Sequence, residues 1–385
     1  MSLNLTSHFR RFLESDPTRL HFAAHSHHPW PDVSFEAHQQ AWLDAARLID
    51  DKWEHVFGTV VPEAQRHIAA ELSLPSSESL VFAPNTHEFV MRLLSCLGPR
   101  PRIVTTDAEF HSFNRQSLRL EEAGLATVIR VPAEPFATVA ARLHDAVKAE
   151  STQLVFLSQV FFNSGAVVSD LTGLVKSLPA EPLVVIDGYH GFCAVPTDLS
   201  GIGQRAFYVA GGYKYAMAGE GACFLHVPDS APQRPVNTGW FAALGALHEK
   251  TSRAVPYATN GARFMGSTFD PTGLYRFNAV MRWRKELGLT THASREHVQA
   301  LQAQFEGGLS QSTVITLSQL VVPRDSPRGQ FLTFRTPRAQ EISTSLKSLN
   351  VITDARNDRL RFGFGVAQTS QHVEALLQRM TTLRP

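Results

Sequence analysis

Three short stretches of the chain set chemically capable side chains directly after apolar runs. In LVVIDGYHG the run ends in Asp187, and His190 follows three residues later. In YVAGGYKYAMAGEG, Lys214 lies between Tyr213 and Tyr215 and is bounded by glycines. In VFAPNTHEFVMRLLSCL an apolar run leads through Asn85, Thr86 and His87 into a helix-like segment. Open α/β sheets bind ligands beyond the carboxyl ends of their strands, so polar residues at such ends come first. An aspartate at a strand end and a lone lysine in a glycine-bounded loop suit pyridoxal phosphate. That cofactor needs a Schiff-base lysine and a carboxylate that keeps its ring nitrogen protonated. A helix starting at Thr86 and His87 offers oriented N–H groups and a positive dipole end to its phosphate. Each feature alone has a plainer reading: Asp187 as a turn residue, Lys214 as a surface lysine, Asn-Thr-His-Glu as an ordinary N-cap. The combination carries the inference.

The elements that must hold these residues follow from the apolar pattern. From about residue 65 to 225, seven strand-like runs (SLVFA, PRIVTTD, LATVIRVP, TQLVFLSQ, EPLVVIDG, RAFYVAGG and ACFLHVP) alternate with helix-like stretches such as FATVAARLHDAVKAE and DLTGLVKSL. This predicts a mainly parallel sheet with helices on both faces. After residue 225 a loop-rich region runs to about 267. It is followed by helical PTGLYRFNAVMRWRKEL and HVQALQAQFEGGL, short strands in QFLTFRTP and RLRFGFG, and helices in AQEISTSLKSL and QHVEALLQRM. The expected division is an N-terminal helical segment over 1–20, a large cofactor-binding α/β domain over 21–265, and a small α+β domain over 266–385 that includes an interdomain helix. In HFRRFLESD, Phe9, Phe12 and Leu13 recur at helical spacing, which predicts that this segment packs on a core.

Composition bounds the partners. The 385 residues carry 36 Lys and Arg against 35 Asp and Glu, a net charge of +1, so no field gathers nucleic acid or coats an anionic membrane. Charged residues make up 18%, low for a monomer's surface, which favours a buried interface. No apolar run approaches the roughly 18 residues of a membrane helix, and MSLNLTSHFRRFLESDPTRL lacks the apolar centre of a signal peptide. The expectation is a cytoplasmic protein. Cys96, Cys193 and Cys223 show no C-x-x-C spacing and read as reduced structural thiols. His25, His27 and His28 in HSHHPW invite a metal reading. Adjacent residues of an extended chain point in different directions, however, and no carboxylate lies nearby in sequence. No metal is expected, and this segment reads as lining a substrate mouth. Asp107, Glu109 and His111 read as solvated loop residues.

At the residues quoted first, the sequence resembles the class V branch of the fold-type I pyridoxal-phosphate enzymes, and within it the kynureninases and their relatives. The family's D-x-x-H is matched by Asp187 to His190, and its Y-K-Y with a glycine-rich turn by Tyr213-Lys214-Tyr215 and Ala218-Gly219-Glu220-Gly221. HFAAHSHHPWP, DAEFHSF, FFNSGAV, NTGWF, GSTFDP, SPRGQFLTF and LRFGFG are similar to further family segments in the same order. The resemblance implies Lys214 as covalent partner and general base, Asp187 at the ring nitrogen and His190 near the ring oxygen. It also implies Phe110 stacked on the ring and the phosphate held by Thr86, His87 and Tyr213, with Ser267 and Thr268 reaching in from a neighbouring subunit. Arg361 would clamp the substrate α-carboxylate, with His25, Ser26 and Trp240 as further substrate contacts. A homodimer with sites at its interface and an α-amino-acid substrate follow from the same likeness. Two departures stand out. Trp240 is followed by Phe241, Ala242, Ala243 and Leu244 instead of Trp-Gly-His, and Ser-Asn-Pro-Pro is replaced by Ser267-Thr268-Phe269-Asp270-Pro271. Both argue against kynurenine itself. Cysteine desulfurases need a cysteine in the C-terminal domain, and the last one here is Cys223. The expected reaction is Cβ–Cγ hydrolysis. Transamination or β-elimination, a non-catalytic binding protein of the same fold, and a histidine-based metal hydrolase are the alternatives.

Overall fold

The computed structural model describes residues 3–149, 151–245, 254–312 and 314–383. After a short first strand, β1 (Leu20–His21), come the seven strands of the main sheet: β2 (Leu80–Ala83), β3 (Arg102–Thr106), β4 (Thr127–Val131), β5 (Leu154–Ser158), β6 (Leu183–Asp187), β7 (Ala206–Gly211) and β8 (Cys223–His226). Their spatial order is β2-β8-β7-β6-β5-β3-β4. β3 to β7 pair in parallel and β8 runs antiparallel to both β7 and β2. All seven apolar runs are strands of this sheet. Runs such as LVFLS and AFYVAG are buried along their whole length because helices cover both faces, and so they read as continuous rather than alternating.

The helices of this part are α1 (Arg10–Leu13), α2 (Val33–Leu48), α3 (Lys52–His55), α4 (Val61–Glu71), α5 (Thr86–Leu94), α6 (His111–Glu122), α7 (Val139–Ala149) and α8 (Leu171–Ser177). The sequence pattern gave no sign of α2. Its buried face is Ser34, Ala37, Ala41 and Asp44, whereas the large apolar Phe35, Trp42 and Leu43 are exposed. A helix whose small residues face inward has no apolar stripe to detect.

Towards the C-terminus, α9 (Thr272–Glu286) and α10 (Thr291–Gly308) precede β9 (Phe331–Arg335), α11 (Ala339–Ser348), β10 (Val351–Ile352), β11 (Asp354–Arg356), β12 (Arg359–Gly363) and α12 (Ser370–Thr381). β11, β12 and β9 form an antiparallel sheet with its own core. β1 pairs in parallel with β10, Leu20 opposite Val351, and Leu20 and Phe22 are buried in that C-terminal core. The division drawn between residues 20 and 21 therefore cuts a strand whose partner lies some 330 residues on. Backbone pairing, invisible to local pattern, decides where that strand belongs. α9 bridges: Leu274, Phe277 and Met281 enter the core of the large sheet, while Val280 and Trp283 close on Leu5, Phe9 and Val366. Phe9 is fully buried with its ring perpendicular to Trp283 at 5.9 Å, so the N-terminal segment is docked as its spacing predicts. Among the described residues no helix is long and apolar enough to cross a membrane.

Candidate active site

The parallel strands deliver their polar ends to one edge of the sheet. Asp187, the last residue of β6, stands opposite Ser158 of β5 and Val209 of β7. Beyond β7 the chain turns through Gly211 and Gly212 to Lys214. A Cβ at Gly211 would lie 2.2 Å from Tyr189 Oη and 2.7 Å from Cys223 Sγ, so only glycine lets the Tyr189 ring pack beneath this loop. Tyr189 Oη and Cys223 Sγ are 3.4 Å apart.

Lys214 is 4% exposed. Its Nζ lies 2.8 Å from His190 Nε2 and 5.0, 5.5 and 5.7 Å from the ring centres of Tyr189, Phe110 and Tyr213. Burial pushes its amine well below the usual lysine range, with Asp187 pulling the other way. Burial, then the nearby Lys214, also hold the His190 ring well below its ordinary value. His190 Nε2 also lies 3.2 Å from the His25 carbonyl. Asp187 accepts the Tyr189 N–H at 2.9 Å, and burial raises its carboxyl against the pull of Lys214.

These groups open on a cavity of about 240 Å³. Thr86, His87, Phe110, Asp187, His190, Tyr213 and Lys214 all line it, so seven of the residues singled out in the sequence are brought together. Asn85 caps α5 by accepting the Glu88 N–H at 3.1 Å, and the start of that helix faces the cavity. Phe110 is the N-cap residue just before α6 and stands edge-on to Phe162 at 5.4 Å. A buried amine that makes no ion pair among the described residues, a carboxylate at the cavity edge, an aromatic wall and a helix N-terminus fit pyridoxal phosphate.

Six of the singled-out residues do not line this cavity. Arg361 on β12 lies behind Phe162, donating to the Phe162 carbonyl and to Asp354. His25 is buried and stacked on Phe331 at 4.7 Å, and Ser26 is half-buried with its Oγ 3.2 Å from His27 Nδ1. Trp240, Ser267 and Thr268 are exposed together on the surface, the Trp240 Nε1–H donating to Thr268 Oγ1 at 3.3 Å. The three histidines of HSHHPW go separate ways. His25 and His28 are buried, whereas His27 is exposed and stacked on Tyr213 at 5.4 Å. Among the described residues no three His, Cys, Asp or Glu side chains gather as metal ligands.

One reading is corrected. Glu109, taken as a solvated loop residue, is buried, and its carboxylate accepts hydroxyl hydrogen bonds from Thr106 and Ser158, both at 2.6 Å. Burial lifts its carboxyl to about 7 despite those bonds, and Asp187 adds to the rise. The available signal is its place between Ala108 and Phe110, just beyond Thr106, the last residue of an apolar strand. Tyr189, inside the D-x-x-H segment, was also passed over and lines the cavity.

The aminotransferase class-V family profile matches residues 51–376. The chain belongs to that family. The class-V family is one of fold-type I enzymes that depend on pyridoxal phosphate, and the seven-stranded, mainly parallel sheet is its framework here. Among solved structures, the class-V chain is similar to the cystine C–S lyase C-DES in complex with its product cysteine persulfide, at 16% identity and a TM-score of 0.79 over 95% of this chain and 98% of that one. A cysteine desulfurase from Thermococcus onnurineus NA1 matches at 18% identity and a TM-score of 0.80 over 99% and 98%. A lysine-to-alanine variant of C-DES with glycine covalently linked to its pyridoxal-phosphate cofactor matches at 17% identity and 0.81 over 97% and 98%. No curated protein sequence matches the chain.

Proposed function

We propose that this class-V enzyme is a cytoplasmic homodimer that eliminates a leaving group from Cβ of an α-amino acid. The observation that carries the reading is Lys214, an amine that burial drives towards its neutral form, seated against His190 beside Asp187. Bound pyridoxal phosphate supplies the electron-withdrawing ring that makes a Cα proton removable. Lys214, once neutral, takes that proton at Nζ. Asp187 keeps a proton on the ring nitrogen, and Phe110 covers the ring and excludes water. The start of α5, with Thr86 and His87, and Tyr213 receive the phosphate, and Ser267 and Thr268 of a second chain complete that cradle. Arg361 takes the α-carboxylate and so orients the bonds at Cα.

β-Elimination asks for a base at Cα and a good leaving group, and for no protein nucleophile. That suits this chain, whose cysteines all precede the C-terminal sheet. Cys223 is the nearest to the site, and burial pushes its thiol up to about 11. The likeness to a cystine C–S lyase supports the same reading. Cβ–Cγ hydrolysis is the second reading, favoured by Tyr213-Lys214-Tyr215 and opposed by the departures after Trp240 and Ser267.

The test is a product assay of the holoenzyme with cystine, simple amino acids and kynurenine. Elimination releases pyruvate and ammonia, hydrolysis releases alanine, and transamination releases the matching keto acid. Alanine from kynurenine without pyruvate from cystine overturns elimination. A cofactor spectrum unmoved by every amino acid makes the protein a non-catalytic member of the fold.

A further inference from the structure

The antiparallel register of β11 and β12 sets Asp354 directly opposite Arg361. The guanidinium is 3% exposed. It donates one N–H to the Phe162 carbonyl and another to Asp354, while its Nε–H finds no partner among the described residues. Both terminal nitrogens, the usual grip for an incoming carboxylate, are therefore already engaged. Phe162 is also part of the cavity wall, so the occupied guanidinium lies one residue behind the space where substrate would sit.

His25 also approaches Asp354, its Nε2 3.7 Å from the same carboxylate oxygen that meets Arg361. The imidazole is 1% exposed, and neither ring nitrogen has a hydrogen-bond partner among the described residues. Buried polar groups are nearly always bonded, so two unmade bonds on one ring point to a second arrangement in which one of them is made. The charged or titratable groups facing His25 are Asp354 and Arg361 from the small sheet and His190 and Lys214 from the large one. Burial keeps the ring neutral, so it can donate one N–H to a carboxylate without placing a new charge in the core.

We propose that Asp354 is a built-in carboxylate that occupies Arg361 until the α-carboxylate of a substrate displaces it, and that His25 receives the displaced Asp354. The proposal rests on Arg361 being the α-carboxylate arginine of the reading above. The exchange is carboxylate for carboxylate. Arg361 stays paired throughout, Asp354 passes from guanidinium to imidazole, and the His25 Nε2–H fills its empty valence. A ligand that lacks the carboxylate cannot make the exchange and leaves the Arg361–Asp354 pair in place, so Asp354 sets the cost of binding for carboxylate ligands alone.

The holoenzyme titrated with glycine and with glycinamide, followed by cofactor absorbance, tests this. In Asp354→Asn the competing charge is gone, and the glycine dissociation constant falls about tenfold, the difference between a charge-assisted and a neutral hydrogen bond, while that of glycinamide stays put. If Asp354 only props Arg361 in place, Asp354→Asn weakens glycine binding, and that result overturns the latch. His25→Phe keeps a ring on Phe331 and leaves the Arg361–Asp354 pair untouched, so it carries the test should Asp354→Asn not fold. It weakens glycine binding about threefold or more by removing the receiver. Unchanged or tighter binding overturns the proposal, as does an equal loss in the Asp354→Asn background. A native enzyme whose spectrum ignores every amino acid sinks the proposed function. A native response with the wrong sign in these variants sinks the latch alone.

Discussion

Lys214 and Arg361 are two cationic side chains buried to the same degree, and the fold treats them in opposite ways. Lys214 makes no ion pair among the described residues and is enclosed by His190 and three aromatic rings. Arg361 is paired with a carboxylate and also donates to a carbonyl. The difference lies in what each group can do about burial. An ammonium escapes the cost of desolvation by shedding its proton, whereas a guanidinium cannot and must be paired. On the proposed function, the lack of an ion-pair partner lets the lysine act as a base, and the loan of one keeps the arginine ready for an anion.

The comparison breaks most severely at the lysine. Lys214→Ala should lower turnover by about 10³-fold or more, and Lys214→Arg should do no better, because arginine restores charge and length but not a removable proton. Product release and borohydride fixation of the cofactor check both variants. Appreciable turnover in Lys214→Arg would show that the neutral amine is not what the pocket is built to make.

Glu109 extends the contrast to an acid. Its carboxyl is lifted to about 7 from an ordinary 4.5, so between those pH values the folded chain holds a proton that the unfolded chain has lost. Stability therefore falls as pH rises across that window. Below it the group contributes nothing, and above it the penalty reaches about 3 kcal/mol. Glu109→Gln should accordingly stabilise the apoprotein by up to about that amount at pH 8 and leave it nearly unchanged at pH 4, as read by urea unfolding. An equal effect at both pH values would mean that Glu109 keeps its charge, as a paired group such as Arg361 does.

Glu109 also marks where the sequence stops being legible. The seven strands could be read because each is an unbroken apolar run, and Asp187, Lys214 and the start of α5 could be read because they stand where those runs end. Glu109 has the composition of a surface loop, and only the fold, by bringing Ser158 of β5 beside it, makes it interior. α2 escaped because its inward face is small and polar, and the pairing of β1 escaped because its partner, β10, lies far along the chain. Arg361 could be placed as an anion receptor only through family likeness. Its pairing with Asp354 follows from hairpin register, which LRFGFG does not announce.

A lysine substituted at Arg361 sharpens the other half of the contrast. Arg361→Lys retains a cation that can pair with Asp354 but loses the planar fork, so KM for an amino acid should rise about tenfold or more with a smaller change in kcat. Steady-state kinetics separate the two. A fall in kcat with KM unchanged would place Arg361 away from ground-state carboxylate binding.

The smallest expected effect concerns residues with no task inside their own chain. Trp240 is 51% exposed and hydrogen-bonded to Thr268, itself exposed, so Thr268→Ala should alter the stability of a single chain by less than about 0.5 kcal/mol. If the pair instead serves the Lys214 cavity of a second chain, the same substitution weakens cofactor binding several-fold, as expected for one hydrogen bond to phosphate. Mixing distinguishes the two. When Lys214→Ala chains are co-assembled with Thr268→Ala chains at limiting cofactor, a contribution across subunits leaves one site of each mixed dimer with both lesions and the other with neither, and activity rises above that of either parent. A contribution within one chain leaves every site damaged, and no rise occurs.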